Sequence, residues 1–161
     1  MRRLAIAMGL HLALAGGAAA QVRDLDYFLG QWTVASRDPA SGEVVQVAYT
    51  IEATPGGAWL AGVSASSDGS LSARDMWGRD PLTGEIIRVI FDGSGTFATV
   101  RSRGWARDKL VLEGEARSKG GTVRVRETIS RLSPQRFEAL WEAYRNGAWS
   151  AYAVETVTRR S

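Results

Sequence analysis

Turn-forming residues punctuate this chain so regularly that only a fold of short, sequentially connected strands can accommodate them. From Gln31 onward, clusters rich in Gly, Pro, Asp, Asn and Ser recur at intervals of roughly ten residues. They are Asp38-Pro39-Ala40-Ser41-Gly42, Thr54-Pro55-Gly56-Gly57, Ser67-Asp68-Gly69, Asp80-Pro81-Leu82-Thr83-Gly84, Asp92-Gly93-Ser94-Gly95, Lys119-Gly120-Gly121, Ser133-Pro134 and Asn146-Gly147, with Arg107-Asp108 as a weaker break. The intervening stretches carry side chains with a period of two. Val45, Val47, Tyr49 and Ile51 alternate with Gln46, Thr50 and Glu52, and Val123, Val125, Glu127 and Ile129 alternate with Arg124, Arg126, Thr128 and Ser130. That alternation marks half-buried strands. The pattern predicts strands over residues 31–37, 43–53, 58–65, 71–78, 85–91, 96–103, 109–117, 122–132, 136–145 and 148–158, preceded over residues 22–29 by one short helical turn or a lead-in that plugs one end of the fold.

The connections are too short for the crossovers that parallel pairing requires, so the sheet is expected to be antiparallel and up-and-down. A sheet of about ten sequential strands leaves two exposed edges unless it closes on itself. The expectation is therefore an all-β chain forming a single up-and-down barrel of about ten strands, with a two-sheet sandwich as the rival.

The first twenty residues differ from the rest. Arg2 and Arg3 precede an apolar run over residues 4–14, and Ala18-Ala19-Ala20 offers a small-residue cleavage site before Gln21. This is the layout of a secretory signal peptide over residues 1–20, cleaved after Ala20, which leaves a domain over residues 21–161 in the periplasm or the medium. The apolar run is shorter than the roughly 20 residues that span a bilayer, so no membrane anchor is expected. Loss of Arg2 and Arg3 takes the formal charge from +3 to +1, a balance that gives no reason to expect nucleic acid as a partner. The chain has no Cys, so neither disulfides nor a lipidated anchor is available. Its one His, His11, lies inside the expected signal. Thiol nucleophiles, histidine-based triads and nearly all zinc sites are thereby excluded from the mature chain, and no metal is expected.

Phe28-Leu29-Gly30-Gln31-Trp32 opens the first strand and resembles the Gly-x-Trp start of lipocalin-like, calycin-related barrels. The resemblance implies that Gly30 and Trp32 pack across a closed barrel end. A second stretch, Met76-Trp77-Gly78-Arg79-Asp80-Pro81-Leu82-Thr83-Gly84-Glu85 followed by Phe91-Asp92-Gly93-Ser94-Gly95, is similar to the uncharacterised bacterial family known as domain of unknown function 1579. Taken together the resemblance covers residues 25–158. It implies the barrel fold and brings no established activity. Nitrobindin-like haem barrels are a related group, but they hold haem through a barrel His. With none expected in the mature chain, no haem or other cofactor is implied.

Six tryptophans are distributed over the strands. Trp32 reads as core. Trp77, Trp105 and Trp141 read equally as core or as the wall of an apolar ligand pocket. Glu127 shares a face with Val123, Val125 and Ile129, so it either enters the barrel, where a carboxylate needs a partner, or sits near the rim in solvent. Arg88 and Arg101 are its candidate partners. The strand holding Arg88 is apolar on both faces, so period alone does not assign its direction. Asp80 and Asp92 could pair as acid–base carboxylates, but turn chemistry accounts for both.

The resulting functional expectation is a barrel that binds or carries a small, largely hydrophobic molecule, with Trp77, Arg88, Arg101, Trp105, Glu127 and Trp141 as ligand-binding residues and no catalytic residue assigned. A packed interaction module without ligand, and an enzyme based on carboxylates, are the alternatives. A homodimer through one sheet face is compatible with the sequence and not argued by it.

Overall fold

The period-two runs become eleven strands in the computed structural model, which describes residues 24–160. The expected signal peptide and its cleavage site lie outside the described residues. A single 3-10 turn, Asp26–Phe28, stands where a short helical turn is predicted. The strands follow as β1 (Gly30–Arg37), β2 (Val44–Ala53), β3 (Trp59–Ser66), β4 (Ser72–Arg79), β5 (Ile86–Asp92), β6 (Phe97–Ser102), β7 (Trp105–Ala106), β8 (Lys109–Ser118), β9 (Gly121–Ser133), β10 (Arg136–Arg145) and β11 (Ala148–Arg159). Each of the ten predicted strands is present with its ends moved by no more than one residue. The two-residue β7 is not among the predictions, because a strand that short has no period to read.

Sequential strands pair antiparallel from β1 to β6 and from β8 to β11. Two further pairings close the ring: β1 with β11, from Trp32↔Arg159 to Arg37↔Val154, and β6 with β8, from Phe97↔Arg117 to Arg101↔Glu113. The result is a closed antiparallel ten-stranded barrel, with β7 paired only to the start of β8. Closure through β6 and β8 replaces the two free edges that a sandwich would leave. Asp38 and Asp80 do the turn work expected of them. In each Asp-Pro turn the Asp carboxylate accepts the N–H two residues on (Ala40 N–H at 2.7 Å, Leu82 N–H at 2.9 Å), and the Asp carbonyl accepts the Gly42 or Gly84 N–H at 2.8 Å. Asp92 likewise accepts the Ser94 and Thr96 N–H groups, both at 2.9 Å.

One end of the barrel is solid. The 3-10 turn lies across it and inserts Leu25 and Phe28, which are fully buried with Trp32, Trp77, Leu60, Ile86 and Leu110. The Phe28 ring stacks on Trp77 (4.9 Å between centroids) and on Trp105 (5.7 Å), and meets Phe137 edge-on. The Trp32 indole N–H donates to the Phe28 carbonyl at 2.7 Å, so the turn is held to the first strand by a buried hydrogen bond. Arg159 lies over the Trp32 ring at 4.1 Å and donates to the Leu29 and Tyr27 carbonyls. Gly30 adopts φ +118°, and a Cβ there would stand 2.6 Å from Arg159 Nη1. A side chain at residue 30 would therefore be both strained and in collision with the guanidinium. Gly30 and Trp32 both lie at this closed end.

Truncating the ring at the centre of this plug tests whether it seals the fold. Trp32→Ala should cost about 3–5 kcal/mol, the range for large aromatic truncations in a core that cannot collapse. Urea unfolding should show this as a lower midpoint with an unchanged m-value.

Candidate functional site

At mid-height the apolar packing gives way to charge. Strand alternation points Tyr49 (β2), Asp75 (β4), Arg88 (β5) and Glu127 (β9) into the barrel, each buried among core neighbours or nearly so. Arg88 Nε donates to Asp75 Oδ2 at 2.8 Å, and Nη2 lies 2.6 Å from the same oxygen. Nη1 donates to both Glu127 oxygens, at 2.6 and 2.7 Å. The Tyr49 hydroxyl donates to Asp75 Oδ2 at 2.7 Å, and the Trp77 indole N–H donates to that oxygen at 3.1 Å. Below, the Trp77 ring lies 4.2 Å under the guanidinium, adding a cation–π contact. β5 and β9 are not neighbours, since β6 and β8 stand between them. The Arg88–Glu127 pair therefore crosses the interior.

Gly62 makes room for this group. It faces Asp75 across the β3–β4 ladder, and a Cβ there would lie 1.8 Å from Asp75 Oδ1 and 2.8 Å from the Tyr49 hydroxyl. The close approach admits no side chain at residue 62. Asp75 Oδ1 itself is buried without a hydrogen-bond partner among the described residues. Burial opposes the Arg88 charge, but Glu127 and Asp75 outweigh it and hold the guanidinium well above its ordinary pKa. Burial pushes the Glu127 carboxyl up while Arg88 pulls against it. The phenol of Tyr49 is raised well above its usual value by burial and by the adjacent Asp75 charge.

Above this floor the barrel is open. Two adjoining cavities of about 220 Å³ and 420 Å³ share Ser64, Leu71, Ala73, Arg88, Ile90, Asp92 and Glu155 on their walls. Small residues create the space: Ser64, Ala73, Ala98 and Ala116 stand where the lower half carries large side chains. The larger cavity adds Trp141 and Tyr152. Tyr152 faces the cavity because of a bulge. The β10–β11 register passes from Trp141↔Ala153 to Glu142↔Ala151, so Tyr152 is left without an opposite residue and its ring sits 6.3 Å from Trp141. Only a void of about 20 Å³ separates the charged floor from the plug below. Glu155 borders all three spaces. Burial, with the nearby Glu127 charge, pushes its carboxyl up to about 7, against the pull of Arg88 and of hydrogen bonds from Trp141 and Ser36.

The expected site residues separate accordingly. Arg88, Glu127 and Trp141 meet at the cavity and its floor, and Trp77 lies just beneath them. Arg101 does not join them: it faces outward, half-exposed, and donates to Asp80 at 2.9 Å. Its place on β6 alternates with the inward Val100 and Ser102, which fixes the outward direction. Trp105 also stands apart, at the closed end, where its indole N–H donates to the Asp24 carbonyl at 3.1 Å and Arg131 covers its ring at 3.4 Å. The sequence reading passes over Tyr49, Asp75, Gly62, Tyr152 and Glu155. Asp75 and Glu155 carried the same signal as Glu127, a carboxylate sharing a strand face with apolar residues: Asp75 with Ala73 and Trp77, Glu155 with Ala153 and Val157.

No family model matches the chain, and no curated protein matches it. Solved structures do. A redesigned beta barrel, b11L5F_LGL, is similar with 14% sequence identity and a TM-score of 0.41 over 86% of this chain and 96% of its own. The structure of EF1p2_mFAP2b bound to DFHBI is similar with 14% identity and a TM-score of 0.41 over 87% of this chain and 99% of its own.

Two predictions follow from the geometry of the floor. Arg88→Leu should cost about 3–5 kcal/mol, because Asp75 and Glu127 are left as unpaired buried charges. Adding Asp75→Asn and Glu127→Leu to it should recover most of that loss in chemical denaturation. Glu155 gives the second. Between the ordinary Glu value and about 7, the folded protein holds a proton at Glu155 that the unfolded chain has released. Its contribution to stability is therefore lost as pH rises through that window. Thermal melts at about pH 5 and about pH 8 should show Glu155→Gln raising Tm at the higher pH and flattening the difference between the two.

Proposed function

We propose that this barrel binds a small, largely apolar molecule in its open half, with the polar end of that molecule near the Arg88–Glu127 floor. The observation that carries the reading is the contrast between the two halves. The lower half is filled by aromatic and branched side chains, whereas the upper half leaves adjoining cavities of about 220 and 420 Å³, the larger of them within the size range typical of small-molecule sites. An apolar wall of Leu71, Ile90, Trp141 and Tyr152 above a polar floor suits an amphiphilic ligand. A packed interaction module would have no use for that space. Acid–base catalysis by Glu127 is poorly served, since both of its oxygens are occupied by Arg88. On this reading the chain is an exported, lipocalin-like carrier, and the likeness to domain of unknown function 1579 is part of the proposal.

The neutral dye Nile red tests the reading. Its emission should rise and shift to the blue on titration with the protein, and Ala116→Trp, which places an indole on the wall of the larger cavity, should remove the response while leaving the melting transition in place. Native mass spectrometry after gentle purification is the companion measurement. A protein that neither responds to the dye nor carries a molecule of its own would end the ligand-binding reading.

A further inference from the structure

The charge on the polar end of the ligand can be taken further, and this step rests on the binding reading above. We propose that the ligand is cationic: a small amphiphile with an ammonium or amidinium group seated against Glu155, and a flat apolar body lying against the Trp141–Tyr152 pair.

The only cation in the walls and floor of the cavities, among the described residues, is Arg88. It is the group that an anionic ligand would need, and it is fully engaged. Its Nε and Nη2 are taken by Asp75, and its Nη1 lies between both oxygens of Glu127. A ligand carboxylate could reach the guanidinium only by displacing one of these partners, which would leave a buried carboxylate uncompensated. The remaining charges are all negative. Asp75, Asp92 and Glu155 line the two open cavities and Glu127 borders the small void beneath them, so the site and its floor hold four carboxylates to one guanidinium. Asp75 and Glu127 are spent on Arg88, and Asp92 is spent on its own turn. Glu155 is the carboxylate without a cation of its own. No salt bridge engages it among the described residues, Trp141 and Ser36 are the polar neighbours that favour its charged form alongside the more distant Arg88, and it borders every one of the three spaces.

The aromatic pair beside it completes the fit. Trp141 and Tyr152 stand 6.3 Å apart at a 41° tilt, both on the wall of the larger cavity. The negative face of an aromatic ring attracts a cation, and such rings give a flat apolar body a surface on which to stack. A carboxylate flanked by two rings in a low-dielectric cup favours a soft organic cation over both an anion and a metal ion. The described residues contain no group of carboxylates placed to hold a metal.

Three naphthalene derivatives of nearly equal size isolate the effect of charge: naphthalen-1-ylmethylammonium, naphthalen-1-ylacetate and 1-methylnaphthalene. Each is titrated into the whole protein and read by displacement of Nile red. The ammonium should bind at least about tenfold more tightly than the carboxylate, the scale expected of one partly buried charge contact. Glu155→Gln should shrink that ratio several-fold while leaving 1-methylnaphthalene unchanged. Affinity for the ammonium should also fall as pH drops from about 8 to about 6, where Glu155 takes up a proton. The other ionisable groups facing this space are Arg88, Asp75, Asp92, Glu127, Tyr49 and Tyr152. Arg88 and the two tyrosines keep their protons throughout that range; the Glu127 carboxyl is pushed up by burial against the pull of Arg88, so loss of the pH dependence in Glu155→Gln is what assigns it to Glu155.

Equal affinity for the ammonium and the carboxylate, or preference for the carboxylate, overturns the cationic assignment and leaves the binding reading intact, provided 1-methylnaphthalene binds. A Glu155→Gln protein that keeps the full preference overturns the role of Glu155. If none of the three binds, 1-methylnaphthalene included, the binding reading itself fails and the present proposal fails with it.

Discussion

The organisation of this barrel depends on one buried guanidinium. Arg88 reaches across the interior from β5 to Glu127 on β9 and holds Asp75 from β4 with the same head group. Such a cluster is a weak source of stability, because desolvating its charges costs nearly as much as their attraction returns. Its influence is positional. The cluster marks the level at which the aromatic core, ending in the Trp77 ring under the guanidinium, gives way to the open upper half.

Below that level, Phe28, Trp32, Trp77, Trp105 and Phe137 interlock around a 3-10 turn and fill the barrel completely. Above it, the inward positions are Ser64, Ala73, Ala98 and Ala116. The strands run without interruption through both halves, so the change is one of side-chain volume and not of backbone. One set of ten strands thereby serves two ends with different tasks: a rigid base and a receptive cup.

The backbone was largely legible in the sequence because turn chemistry and alternation are local. Asp38-Pro39 and Asp80-Pro81 announce their turns with residues that can do little else, and Val45 to Ile51 declares its buried face. The site was less legible because it is assembled across the barrel. Arg88 sits in Ile86-Ile87-Arg88-Val89-Ile90, where both faces are apolar, so its direction followed only from the register with β4 and β6. Its pairing with Glu127 needed the closure geometry, since two strands intervene. Arg101 carries the same sequence signal, and only the inward facing of its neighbours Val100 and Ser102 turns it to the outside. Tyr152 was hidden for another reason: a bulge shifts the alternation of β11, and no period carries through it. Gly62 left a trace, a glycine inside a strand with no turn to explain it, but the neighbour that demanded it lay on the adjoining strand.

The β6–β8 junction gives the ring a weak seam. Its ladder spans five residue pairs, and below it the chain leaves β6 at Ser102 and pairs β7 with the start of β8 instead. Local opening takes the path that breaks the fewest backbone hydrogen bonds, so this seam, and with it the alternate β6 amides that donate to β8 and not to β5, is where the barrel wall opens most readily. Ala98 and Ala116 flank that seam and also line the larger cavity. Parting the two strands would widen the cup sideways, giving a bulky guest a lateral door that the fixed rim does not provide.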